Sequence, residues 1–121
     1  MPCVLVVEDD GDTREFMELL LSTSGFETMG AADGVEALEK MRLRLPSVVL
    51  LDIQMPRMDG WQFREMQLRD PARAAVPVVC ITAYFDPRIV SRKLGVRCLP
   101  KPADFSSVLR EVNSACRDAA P

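Results

Sequence analysis

The stretch Ser47-Val-Val-Leu-Leu-Asp-Ile-Gln-Met-Pro-Arg-Met-Asp-Gly60 limits the possible folds more than any other part of the chain. Val48 to Leu51 form an aliphatic run with no polar alternation. Such a run suits a strand covered on both faces, the habit of parallel strands in α/β proteins. The run stops on Asp52, after which Pro56 and the Asp59-Gly60 pair force a loop. Ligands of open parallel sheets collect where loops leave the carboxyl ends of central strands. Asp52 is therefore a candidate for chemistry, against the plainer alternative of a carboxylate that only caps a turn.

The same apolar-then-acidic form occurs at the start, where Cys3-Val-Leu-Val-Val runs into Glu8, Asp9 and Asp10. This is predicted strand one. Asp12-Thr-Arg-Glu15 reads as a capping box opening a helix, with Phe16, Leu19, Leu20 and Thr23 at helical spacing and Ser24-Gly25 as its stop. Phe26 to Ala31 is a weaker second strand. Asp33-Gly-Val-Glu36 is a second capping box, and it opens a helix with Val35, Leu38 and Met41 inward until Leu45-Pro46. After the central strand, Trp61 to Arg69 reads as helix three with Phe63, Met66 and Gln67 toward the sheet, closed by Asp70-Pro71. Pro77 to Ala83 is a fourth apolar strand, ending on the hydroxyl of Thr82. Asp86-Pro87 starts a brief fourth helix carrying Ile89, Val90 and Leu94 before Gly95. Val96 to Leu99 is a short fifth strand, Pro100-Lys101-Pro102 a rigid turn, and Asp104 the cap of a last helix with Phe105, Val108, Leu109 and Val112. Five strand–helix units joined by short connections predict an α/β fold, a doubly wound five-stranded parallel sheet, as a single domain over residues 1–121.

Composition narrows the function. No segment approaches the apolar length of a membrane span, and nothing at the start resembles a secretory signal, so a cytoplasmic protein is expected. Cys3, Cys80, Cys98 and Cys116 are far apart with no Cys-x-x-Cys, which favours free thiols over zinc or disulfides. Fifteen basic against 18 acidic residues leave no basic field, and direct contact with nucleic acid is not expected. Histidine is absent, which removes the commonest acid/base group, so any phosphoryl donor has to come from outside.

If strands one and three are neighbours, Glu8, Asp9 and Asp52 converge at their carboxyl ends. Three such carboxylates repel, which raises a pKa or recruits a cation. An all-oxygen set with open positions suits Mg²⁺. Asp52 then has the character of a nucleophile toward a phosphoryl group, with Thr82 and Lys101 placed to engage its oxygens.

These residues fall in four ordered motifs: Val-Val-Glu8-Asp9-Asp, Leu-Leu-Asp52-Ile-Gln-Met-Pro56-Arg-Met-Asp-Gly60, Ile-Thr82-Ala83 and Lys101-Pro102. In them the chain resembles, over nearly its whole length, the receiver domain of two-component response regulators. The resemblance implies a flavodoxin-like (CheY-like) sheet of strand order 2-1-3-4-5. It implies Asp52 as phosphoacceptor and a Mg²⁺ ion held by Asp9 and Asp52, by Glu8 mainly through water, and by the backbone carbonyl of Gln54. Thr82 becomes the switch hydroxyl, Lys101 the phosphate-pairing lysine, and the Lys101–Pro102 bond cis. Asp10 matches no ligand position and reads as a loop acid. The implied donor is a sensor histidine kinase or a histidine phosphotransfer protein, and the implied output is toward a protein target through the fourth helix, fifth strand and fifth helix. The chain then acts as a switch rather than a metabolic enzyme, as a monomer or a weak phosphorylation-dependent dimer, either alone or as a module of a hybrid histidine kinase or longer regulator.

Departures from the family pattern are also legible. The segment between Thr82 and Lys101 is shorter than usual, and Cys98 falls where many relatives carry a switch aromatic. Tyr84 and Gln54 match positions that tune phosphoryl lifetime, and a bulky Tyr84 predicts a long-lived phosphate. Met55, Met58 and Trp61 read as packing residues. Two alternatives compete: a degenerate receiver that is never phosphorylated, and an aspartate-nucleophile phosphatase, for which a second Asp is expected where Gln54 stands.

Overall fold

Aliphatic runs become the inner strands of a parallel sheet in a computed structural model that describes residues 1–83 and 86–119. The strands are β1 (Cys3–Val7), β2 (Glu27–Ala31), β3 (Val48–Asp52), β4 (Val78–Thr82) and β5 (Arg97–Pro100), in the order β2-β1-β3-β4-β5. Every pairing is parallel. The helices are α1 (Gly11–Thr23), α2 (Gly34–Leu43), α3 (Gly60–Leu68), α4 (Pro71–Ala74), α5 (Pro87–Leu94) and α6 (Phe105–Ala119). Fold class and strand order are those expected from the sequence.

The strand residues alternate between two cores. Leu5, Val7, Leu51 and Cys80 pack with Leu38 and Met41 of α2, Phe63 of α3 and Val90 of α5. Val4, Val6, Leu50 and Ile81 pack on the other face with Leu21 of α1 and Val108 and Val112 of α6. Each large aliphatic side chain so buried contributes roughly 1.5–3 kcal/mol, and helices on both faces explain why the inner strands carry no polar alternation. Met55, Met58 and Trp61 pack against the first of these cores, as expected. All four cysteines are free, with Cys3 and Cys80 buried and Cys98 and Cys116 half-buried.

Four local features differ from those expected of the sequence. The N-cap of α1 is Asp10, not Asp12: its carboxylate accepts from the Thr13 amide at 3.1 Å and from the Thr13 hydroxyl. Asp10 is thus a cap rather than a free loop acid. Phe16 and Leu19 are each 61% exposed, while Leu21, with Met17 alongside, turns to the sheet. Asp70-Pro71 closes α3 but also opens α4, with Asp70 as its cap and Pro71 in its first turn. That turn is held by the buried Gln67, whose amide nitrogen donates to the carbonyls of Arg73 (2.8 Å) and Val76 (3.0 Å).

At the far edge, β5 sits one residue later than read and includes Pro100 opposite Thr82. Proline is tolerated on an edge strand because it has no ladder donor to supply. The ladder resumes at once, as the Lys101 amide donates to the Thr82 carbonyl at 2.8 Å. The Lys101–Pro102 bond is cis.

Candidate functional site

Register places the acids. Val7 pairs with Leu51, so Glu8 and Asp52 occupy the same level at the carboxyl ends of neighbouring strands. Glu8 is fixed by its amide, which donates to the Ala31 carbonyl at 3.0 Å, and by its own carbonyl, which accepts from Arg14 at 2.8 Å. Asp9 follows on the exposed start of the loop. Carboxylate oxygens of Glu8, Asp9 and Asp52 lie within 4.8 Å of one another. Lys101 reaches this group from beyond β5: its Nζ is 3.0 Å from Asp52 Oδ2 and 3.3 Å from Glu8 Oε1.

The loop after β3 is built to hold Asp52 in place. The Gln54 amide turns back to Asp52 Oδ1 at 3.3 Å, and the Gly60 amide donates to the Ile53 carbonyl at 2.8 Å. Asp59 and Gln62 form a reciprocal capping box that fixes the start of α3. Arg57 adopts a left-handed backbone (φ 60°), a conformation that costs free energy for a residue with a Cβ. Its guanidinium is 2.5 Å from Asp33, the cap of α2, and the Gly34 amide donates to the Met58 carbonyl at 2.9 Å. The loop is therefore anchored to the neighbouring helix at two points.

Burial and like charge act together on Glu8. Desolvation first, and then the Asp52 carboxylate, push its pKa from 4.5 to about 8. Burial also disfavours the Lys101 ammonium, but Asp52 and Glu8 outweigh it and hold that pKa above the ordinary lysine value. One cation against three acids leaves an excess of negative charge. Carboxylate oxygens alone make up the cluster and Asp9 opens it to solvent, which is the donor chemistry of a hard divalent ion that keeps some of its waters. On that ground the residues present fit Mg²⁺.

A pH dependence follows. Between 4.5 and about 8 the folded chain holds a proton on Glu8 that the unfolded chain has released. Fewer protons bound in the unfolded state mean that stability falls as pH rises through this window. Asp33, Glu36 and Asp104 have lowered values and act in the opposite sense, losing their contribution only in more acidic solution. Urea midpoints measured in chelator across the window are expected to fall steadily toward alkaline pH, and a flat profile would contradict the proton on Glu8.

Of the residues singled out from sequence, Glu8, Asp9, Asp52 and Lys101 come together as one cluster. Thr82 is buried at the end of β4, on the same rim of the sheet, and its carbonyl is tied to the Lys101 amide. The Gln54 side chain is exposed on the loop. Tyr84 lies outside the described residues. Cys98 stands on β5, opposite Cys80. One participant, Arg14, was not picked out in the sequence, and another, Asp10, was read as a loop acid rather than as the cap it is. Arg14 braces Glu8 through a main-chain bond, which carries no motif, whereas Asp10 was open to recognition by its three-residue spacing to Thr13. Beside the cluster, a cavity of about 470 Å³ runs between α1 and α6, lined in part by Phe16, Met17, Leu20 and Phe105.

Comparison with known proteins adds independent weight. The sequence model of the response regulator receiver domain family matches residues 4–113. Response regulator MprA of Mycobacterium sp. (strain KMS) is 34% identical over 121 residues, which take in 98% of this chain and 52% of that protein. The chain spans about half the length of the curated relatives it matches first. Among solved structures, the receiver domain of the Francisella response regulator 1452 superposes with a TM-score of 0.89 at 28% identity, covering 99% of this chain and 100% of that one. The signal receiver domain of a signal transduction histidine kinase from Syntrophus aciditrophicus gives 0.88 at 26% identity, covering 98% and 92%.

Proposed function

Because the chain belongs to the response regulator receiver domain family, we propose that it is a phosphorylation-controlled switch in which Asp52 accepts a phosphoryl group from a sensor histidine kinase or a histidine phosphotransfer protein. The observation that carries this reading is the position of Lys101 Nζ, 3.0 Å from Asp52 Oδ2 inside the cluster of three acids. That geometry gives a nucleophilic oxygen a cation already in reach of the anion it will carry.

An Asp52 oxygen attacks phosphorus; the new O–P bond forms as the N–P bond to the donor imidazole breaks. Lys101 then pairs with a phosphoryl oxygen instead of the bare carboxylate, and the Thr82 hydroxyl donates to another. Positioning and charge neutralisation are most of what phosphoryl transfer needs from a protein. Asp9, Asp52, the Gln54 carbonyl and, through water, Glu8 would hold Mg²⁺, which supplies further neutralisation of the incoming anion. Drawing Thr82 and Lys101 toward the phosphoryl group pulls on the ends of β4 and β5, and so biases the surface of α5, β5 and α6 that a protein target reads. Residues 1–121 act as one receiver unit in this reading, whether alone or within a hybrid kinase or longer regulator.

The test is direct. Incubation with Mg²⁺ and a small phosphodonor is expected to add one labile phosphoryl group, mapped to the peptide that contains Asp52, and chelation is expected to prevent it. No adduct in the presence of Mg²⁺ would sink the proposal and leave a receiver that works without phosphorylation. Mg²⁺ is also expected to flatten the alkaline loss of stability, since it replaces the proton on Glu8.

A further inference from the structure

Two of the thiols meet across the sheet. Cys80 and Cys98 are direct partners in the β4–β5 ladder, and both face the core formed with α2, α3 and α5. Paired strands run about 4.7–4.9 Å apart, which falls inside the Cα separation of roughly 4.4–6.8 Å that a disulfide bridges. Cys80 is fully buried, whereas Cys98 is half-buried and lines a surface cavity of about 340 Å³ with Ser91 of α5 and Glu111 of α6. Cys98 is thus the more accessible residue of the pair, and Cys80 lies behind it in the sheet.

We propose that Cys80 and Cys98 form a reversible redox pair, in which a hydroperoxide oxidises Cys98 and Cys80 resolves the product into a disulfide between β4 and β5. The Cys98 sulfur attacks the peroxide O–O bond, taking one oxygen to become a sulfenic acid and releasing an alcohol or water. The Cys80 sulfur then displaces that oxygen as water. In sum the two thiols lose two electrons and two protons, and the hydroperoxide takes them up. The neighbouring Cys80 thiol holds the Cys98 thiol below its ordinary pKa, which favours Cys98 as the attacking thiolate, whereas Cys98 and burial hold the Cys80 thiol well above its own, which suits Cys80 to the second, resolving role.

Side chains that stand parallel on one face keep their Cβ atoms near the strand spacing, slightly beyond the relaxed disulfide range of about 3.5–4.5 Å. Closure draws β5 toward β4, and a bond formed under that strain is readily reduced. The same two strands end in Thr82 and in Pro100 before Lys101, so the link fixes the rim that carries the hydroxyl and the ammonium. Ordinary core packing, in which both cysteines serve as small apolar fillers, predicts no such chemistry.

The folded full chain, treated with hydrogen peroxide, alkylated and digested, distinguishes the two. Expected is the loss of two of the four free thiols, a Cys80–Cys98 linked peptide pair in the monomer, and return of both thiols with dithiothreitol. In Cys98→Ser no linked pair forms, and in Cys80→Ser the Cys98 sulfenic acid is trapped by dimedone. Because either variant can perturb the core, the wild-type peptide map decides. Cys80 still alkylatable after Cys98 has gone to sulfinic acid, a link to Cys3 or Cys116, or four intact thiols would each overturn the proposal. The map reads cross-link chemistry alone, so its result is independent of whether Asp52 is phosphorylated.

Discussion

Asp52→Asn is expected to abolish the labile phosphoryl adduct and, in chelator at neutral pH, to make the fold more stable rather than less. The carboxamide is nearly the same size and keeps an oxygen for the Gln54 amide, but it is no nucleophile toward phosphorus. Lys101 retains Glu8 as a partner. The change removes one of the charges that push Glu8 to about 8, so its pKa drops back toward 4.5 and the glutamate ionises without the same repulsion. One pKa unit corresponds to about 1.4 kcal/mol, and a gain of about 1 kcal/mol is the expected scale. Urea unfolding and intact-mass measurement read the two effects separately. A persistent adduct would move the acceptor away from Asp52; a less stable variant would show that the acidic cluster is not under electrostatic strain.

Gly60→Ala is expected to cost about 1–3 kcal/mol, the range for forcing an extra methyl into a closed site. A Cβ at this position would stand 2.8 Å from Ile53 Cα and 2.8 Å from Ile53 Cδ1, with the Asp52 carbonyl oxygen at 3.1 Å. Two of these neighbours are backbone, so no rotamer change relieves the overlap. Either α3 retreats or the end of β3 moves, and the Gly60–Ile53 hydrogen bond is lost with it. Gly34 gives a useful contrast, because the atoms crowding it all belong to the flexible side chain of Met58. Gly34→Ala is therefore the milder change. The urea midpoint of Gly60→Ala should drop with little change in slope, and a loss below about 0.5 kcal/mol, typical of surface substitutions, would mean that the loop yields without disturbing Asp52.

The sequence was most legible where a single physical demand governed several residues at once. Val48 to Leu51 needed cover on both faces, which gave the parallel doubly wound sheet, while the order of its strands came from the family resemblance that the ordered motifs carry. The acidic cluster was legible because parallel strands bring their carboxyl ends to one rim. The orientation of α1 was not. Phe16, Met17, Leu19, Leu20 and Leu21 offer two overlapping helical stripes, and periodicity alone does not say which one meets the sheet. The cap decided it: Thr13 offers both an amide and a hydroxyl to Asp10, and the helix begins at Gly11. The extra turn at α4 was hidden because Asp70-Pro71 signals a helix end as strongly as a helix start, and its anchor is Gln67, whose amide bonds are visible only after folding.

The position of β2 and β5 at the two outer borders of the sheet has a consequence for self-association at high concentration. An unpaired border is a template on which a second copy can add its own strand and begin a fibril. Here each border is blunted. On β2 the outward carbonyl of Gly30 is taken by Lys40, and Glu27 is paired with Arg44. On β5, only four residues long, Arg97 is engaged with Glu111 at 3.5 Å, and Pro100 has no N–H to lend to an incoming strand. A strand arriving from outside meets an occupied acceptor, charge and a missing donor, which disfavours edge-to-edge polymerisation.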